Sequence, residues 1–134
     1  MKTPIHTRAR VNPGPDGTVQ YHPKSHERPT VTVPRGEAAQ MLRSADLRQA
    51  FIQSVELRGA DLSDLDLSGS TFFRCGLDGA DMSKCNLTNV VFSQCSTANL
   101  DLTDAEVAGL MAKRCSHRLD LPKTQAALQA VTDE

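Results

Sequence analysis

The sequence predicts an all-β solenoid, a chain that coils on itself and stacks its coils. Two observations carry that prediction. Residues 45–104 repeat with a period of five, in phase and without a gap through twelve repeats. The helical period of 3.6 and the strand period of 2 both lose phase with such a repeat after two or three units. A chain with two inward positions in every five turns a corner every five residues.

The 134-residue length allows one modest core. No run approaches the ~18 apolar residues of a membrane span. The opening MKTPIHTRAR lacks the apolar stretch of a signal peptide. The formal net charge of −1 does not suit a generic nucleic-acid binder, and direct nucleic-acid binding is not expected.

Residues 1–36 hold six of the seven prolines and three of the four histidines, which reads as an extended basic arm. Pro13-Gly14-Pro15-Asp16-Gly17 signals a turn. Two short runs, Thr18–Tyr21 and Thr30–Val33, alternate as strands do and suit pairing or a sheet edge. His22 and His26 are four apart, but flanking prolines argue against a metal site. Residues 37–44, EAAQMLRS, are good helix formers and are expected to cap the repeat region.

In the repeats, the third position reads Leu47, Ile52, Leu57, Leu62, Leu67, Phe72, Leu77, Met82, Leu87, Phe92, Thr97 and Leu102. Only Thr97 is polar, which marks it as a place where the solenoid loosens. The first position is small or aliphatic. The second is often acidic or Asn. Gly59, Gly69 and Gly79 fall at the fifth position, where a corner calls for permissive backbone.

This A(D/N)LXX pattern resembles the pentapeptide-repeat family over residues 45–104. The resemblance implies a right-handed quadrilateral β-helix with four pentapeptides per coil, hence about three coils and a stack of about 14 Å. Residues twenty apart then share a face. Face one is ADLRQ, LDLSG and CNLTN. Face two is AFIQS, STFFR and VVFSQ. Face three is VELRG, CGLDG and CSTAN. Face four is ADLSD, ADMSK and LDLTD.

Face four stacks Asp61, Asp81 and Asp101, flanked by Asp64 and Asp104 and offset only by Lys84. These carboxylates form the candidate partner-binding face, although any single Asp in the motif also suits a purely local role at its corner. Face two carries all four Phe. Phe72 and Phe92 are expected inside, whereas Phe51, Phe73 and Val91 take outward positions as a candidate contact face. The arm of the same chain or a partner is expected to cover them. Cys75 and Cys95 share an inward position one coil apart. That spacing permits a disulfide, but small buried side chains are the favoured reading. Cys85 lies on another face, and no zinc pattern exists.

After Asp104 the period reads as broken. Thr103-x-x-Glu106 has capping-box spacing, followed by Val107, Leu110 and Met111, so a capping helix is expected to about Arg114. A second helix is expected from Pro122 to about Val131. Lys113, Arg114, His117 and Arg118 read as a solvated basic cluster. The expected division is therefore an arm at 1–36, a capped repeat region at 37–104 and a helical cap and tail at 105–134.

No phosphate loop, nucleophile elbow, metal motif or triad is present, so neither an enzyme nor a cofactor is expected. The resemblance implies a protein-interaction module. Some members imitate duplex DNA and bind DNA gyrase, a partner class that face four suits. The alternative is a structural or decoration component of a larger assembly such as a virion, tethered by its arm, or a homo-oligomer. Few cysteines and no apolar span give a cytoplasmic or assembly-bound expectation, without a membrane.

The near-zero charge hides a partition. Residues 1–44 carry seven cations and three carboxylates, residues 45–104 four and nine, and residues 105–134 four and four.

Overall fold

Residues 8–24, 29–119, 121 and 131–133 are described by the computed structural model, the last three by backbone only. Strands form one eight-stranded sheet in the order β3-β2-β1-β4-β5-β6-β7-β8. The first three are β1 (Arg10–Pro13), β2 (Thr18–His22) and β3 (Val31–Pro34). Helix α1 (Ala38–Ser44) comes next. Then come β4 (Phe51–Gln53), β5 (Thr71–Phe73), β6 (Val91–Ser93), β7 (Met111–Lys113) and β8 (Val131–Asp133).

Successive strands from β4 onward are twenty residues apart and pair in parallel, in register: Phe51 beside Thr71, then Val91, Met111 and Val131. The other three faces hold single bridges at the same spacing. Glu56, Gly76 and Ser96 form one ladder, Asp61, Asp81 and Asp101 a second, and Asp66, Asn86 and Glu106 a third. Every twenty residues the chain thus returns to the same side, one rung along.

The corners explain why the sequence permits this path. Gly59, Gly69 and Gly79 take φ of +68°, +72° and +68°. The same fifth position is left-handed where it is not glycine, as at Asp64, Arg74, Lys84, Asn89 and Asp104. Ala60 N–H donates to Leu57 O at 3.1 Å and Ala80 N–H to Leu77 O at 3.0 Å, closing turns whose third residue has positive φ. First- and third-position side chains point inward, and Leu62, Leu67, Leu77, Met82, Leu87 and Phe92 are almost fully buried.

Two expectations are corrected. No helix occupies residues 105–114. Ala105, Val107, Leu110 and Ala112 continue the inward positions, and β7 continues the face-two ladder. Asn86 bridges to Glu106, so the would-be capping-box glutamate is a second-position rung residue. The helical intervals of Val107, Leu110 and Met111 lose to the ladder already templated beneath them. Of the second expected helix, residues 122–130 lie outside the described residues, and Val131 begins a strand.

The N-terminal segment is also more ordered than an extended arm. The two alternating runs do pair, as β2 and β3, and β1 joins them antiparallel. β1 then lies parallel on β4, with Arg10 beside Phe51 and Val11 beside Ile52. The meander therefore covers the end of the coil, and of the outward phenylalanines the arm meets Phe51, through Arg8. Beside it, α1 buries Ala38, Met41 and Leu42. His26 lies outside the described residues.

Candidate functional site

Face four places Asp61, Asp81 and Asp101 on adjacent rungs. Each carboxylate closes its own corner. Asp61 Oδ1 accepts from the Ser63 hydroxyl at 2.6 Å and its N–H at 3.1 Å. Asp81 does the same with Ser83, and Asp101 with Thr103. These hydrogen bonds hold the Asp61 and Asp101 carboxyls below the ordinary carboxylate value. The local corner role and the outward charge therefore coexist, because one oxygen serves the turn while the other is left to its surroundings. Asp64 and Asp104 occupy exposed corners of the same face. Arg43 of α1 crosses the lower edge. It donates to Asp61 O and Ser63 O, at 3.3 and 3.0 Å, and pairs with the Asp61 carboxylate at 3.6 Å.

Face two brings Phe51 and Phe73 together, with ring centroids 6.2 Å apart and planes at 25°. Arg8 lies over Phe51 at 5.7 Å and Arg74 over Phe73 at 5.0 Å. Arg8 is also anchored by hydrogen bonds to Gln49 O, Ala50 O and the Thr71 hydroxyl. Phe51, Phe73 and Val91 are half-buried, so the apolar patch is partly roofed by guanidinium groups. In the sequence, Lys113 and Arg114 read as part of a local cluster. Their positions, and that of Arg74, put them on face two, and Arg74 and Arg114 are two rungs apart at the same corner. The twenty-residue spacing holds that signal, but the apparent break after Asp104 conceals it.

The interior thiols are free. Cys75, Cys95 and Cys115 share one column, and Cys85 belongs to face one. Cys75 Sγ–H donates to Ile52 O at 3.3 Å, Cys85 to Leu62 O at 2.8 Å and Cys95 to Phe72 O at 3.2 Å. Burial pushes Cys85 up to about 11. Cys95 is pushed up by its hydrogen bond with Cys75 and by burial. These thiols fill space and satisfy carbonyls. Thr97, the polar exception, is buried. Its hydroxyl donates to His117 O at 2.9 Å, and its N–H donates to the Ser116 hydroxyl instead of to a backbone carbonyl. The face-three ladder loosens there.

Among the described residues, no group of three or more His, Cys, Asp or Glu side chains is arranged to hold a metal ion. Nor is any helix among them long and apolar enough to cross a membrane.

No curated protein matches this sequence. The family described as "Pentapeptide repeats (8 copies)" matches over two overlapping segments, residues 42–75 and 52–89. It is a repeat family of interaction modules rather than a catalytic one. The left-handed fifth position, the inward first and third positions and the twenty-residue ladder are the structural form of that repeat, and over residues 42–89 the chain belongs to the pentapeptide-repeat family.

Proposed function

We propose that this chain is a non-catalytic binding scaffold whose face four engages a cationic groove of a DNA-handling protein such as DNA gyrase. The observation that carries this reading is the column Asp61–Asp81–Asp101, with Asp64 and Asp104 along its edge. Hydrogen bonds from Ser63 and Thr103 favour the ionised form of Asp61 and Asp101. A regularly spaced row of anions on a stiff rod is the feature that a DNA-binding surface recognises in a duplex. The coil in this reading is a right-handed quadrilateral β-helix. The strong preference of parallel crossovers for that hand supports it. It has nearly four turns from residue 45 to residue 119, one more than the repeat motif alone implies. The functional division is an N-terminal meander with α1 as an end cap, followed by the coil.

The test is a supercoiling assay with purified gyrase and the full chain. Inhibition or protection at micromolar protein is expected. It is expected to be lost in an Asp61→Asn, Asp81→Asn, Asp101→Asn variant that stays folded by circular dichroism. No effect of the wild type, or equal effect of the variant, defeats the reading.

A further inference from the structure

The coil segregates its charge between opposite sides. Faces two and four are two corners apart and therefore lie back to back. Face two, with β1 added, carries Arg8, Arg10, Arg74, Lys113 and Arg114, and its one acidic position among the described residues is Asp133 of β8, in register with Lys113. Face four carries five Asp and Lys84. Elsewhere arginines are matched locally: Arg43 with Asp61, Arg48 with Asp46, Arg58 with Glu56 and Asp78. No described ion pair to a carboxylate involves Arg10, Arg74, Lys113 or Arg114. The exposed Arg74 is hydrogen-bonded to Gln94 and lies on Phe73.

We propose that face two is the docking surface for face four of a second copy of this chain, joining molecules side by side. Three features favour this occupant. The first is charge: one face has five cations and the other a net −4. The second is spacing. Both rows are cut from one coil, so cation and carboxylate columns share a single rung repeat and cannot drift out of phase. Chain direction reverses between opposite faces. In copies related by translation, the Arg74–Arg114 edge of one therefore lies along the Asp61–Asp81–Asp101 column of the next. Asp64 and Asp104 then lie along the column of Arg10, Phe51, Val91 and Met111. The third is the net charge of −1, which leaves little overall repulsion between copies. Such a contact joins two different patches, so it extends into rows rather than closing as a dimer. Self-association of this kind does not depend on gyrase binding, and self-contact competes with any foreign partner for face four.

The experiment is sedimentation velocity of the full chain over a concentration series. It is run at about 20 mM and about 0.5 M salt, the latter cutting the screening length to a few ångströms. Mass rising with concentration at low salt, and returning to the 14.5 kDa monomer at high salt, is expected. Arg74→Glu/Arg114→Glu and Asp64→Lys/Asp104→Lys are each expected to stay monomeric at low salt. All four sites are exposed corners, and Asp64 and Asp104 close no turn of their own, so both variants should fold. Circular dichroism checks this. Mixing the two variants brings the intact face four of the first to the intact face two of the second and should restore association, as a heterodimer that cannot extend into rows. A monomer under every condition overturns the proposal and leaves face two to some other anionic partner. Association unchanged by either double reversal, or not restored on mixing, overturns it equally. None of these readouts involves gyrase.

Discussion

Phe72 and Phe92 stack inside the coil one rung apart, with ring centroids 5.3 Å apart and planes tilted by 38°. Both are fully buried, whereas Phe73, one residue along, faces out beneath Arg74. Truncation should separate the two environments. Phe72→Ala is expected to cost about 3–5 kcal/mol because the rungs above and below hold the cavity open. Phe73→Ala should cost about 1 kcal/mol. Urea midpoints at constant slope give the comparison, and equal losses would contradict the inward and outward assignment.

The corners set a second expectation. A Cβ at Gly79 meets nothing within 4 Å, so Gly79→Ala tests backbone conformation alone. At φ +68° it should destabilise by roughly 1–2 kcal/mol. Lys84 occupies the next corner at φ +60°. Lys84→Gly should stabilise by about 0.5 kcal/mol, the relief of strain outweighing the added freedom of the unfolded chain. Thermal melts of both variants decide this, and the same sign for both would be inconsistent with it.

Acid should weaken the fold through face four. The Asp61 and Asp101 carboxyls are lowered by Ser63 and Thr103 from an ordinary value of 3.8. The unfolded chain therefore takes up protons first as pH falls. The associated stability is present above pH 3.8 and is lost as pH drops through the lower folded values. A Ser63→Ala/Thr103→Ala variant should show a shallower loss of stability over that window. Urea unfolding between about pH 5 and pH 2.5 measures the slope, and an unchanged slope would assign the acid sensitivity to other groups.

Thiol chemistry should rank the columns. Cys75, Cys85 and Cys95 are buried, and Cys115 is only half-buried with its thiol raised by burial. With a colorimetric disulfide reagent at about pH 8, still below the Cys85 value of about 11, Cys115 should react first. The other three should react at the rate of unfolding. A Cys115→Ala chain that still showed a fast thiol would refute the ordering.

Much of this fold is legible in the sequence because a five-residue period with two inward positions has few structural solutions. Leu57, Phe72 and Met82 each occupy the interior that the phase assigns them. The C-terminal boundary is misleading in sequence for a physical reason. Ala112 is too small to register as a core residue in isolation, and Thr103 and Glu106 imitate a helix start. Only the rung beneath, which a linear reading does not supply, holds residues 105–113 in the coil. The Arg8–Phe51 and Arg74–Phe73 contacts are likewise illegible. The first needs β1 to pair with a strand some forty residues later, and the second depends on rotamer rather than spacing.

The junction between β1 and β4 has a kinetic meaning. Every rung of the coil is chosen by a neighbour twenty residues away, so once one turn exists the others add by zippering. β1 instead must meet β4 across the whole of β2, β3 and α1, a longer closure with a larger entropic cost. Nucleation therefore belongs to the interior of the coil. The N-terminal meander is expected to dock on β4 last, as a stopper that ends propagation in one direction because its outer strands run antiparallel.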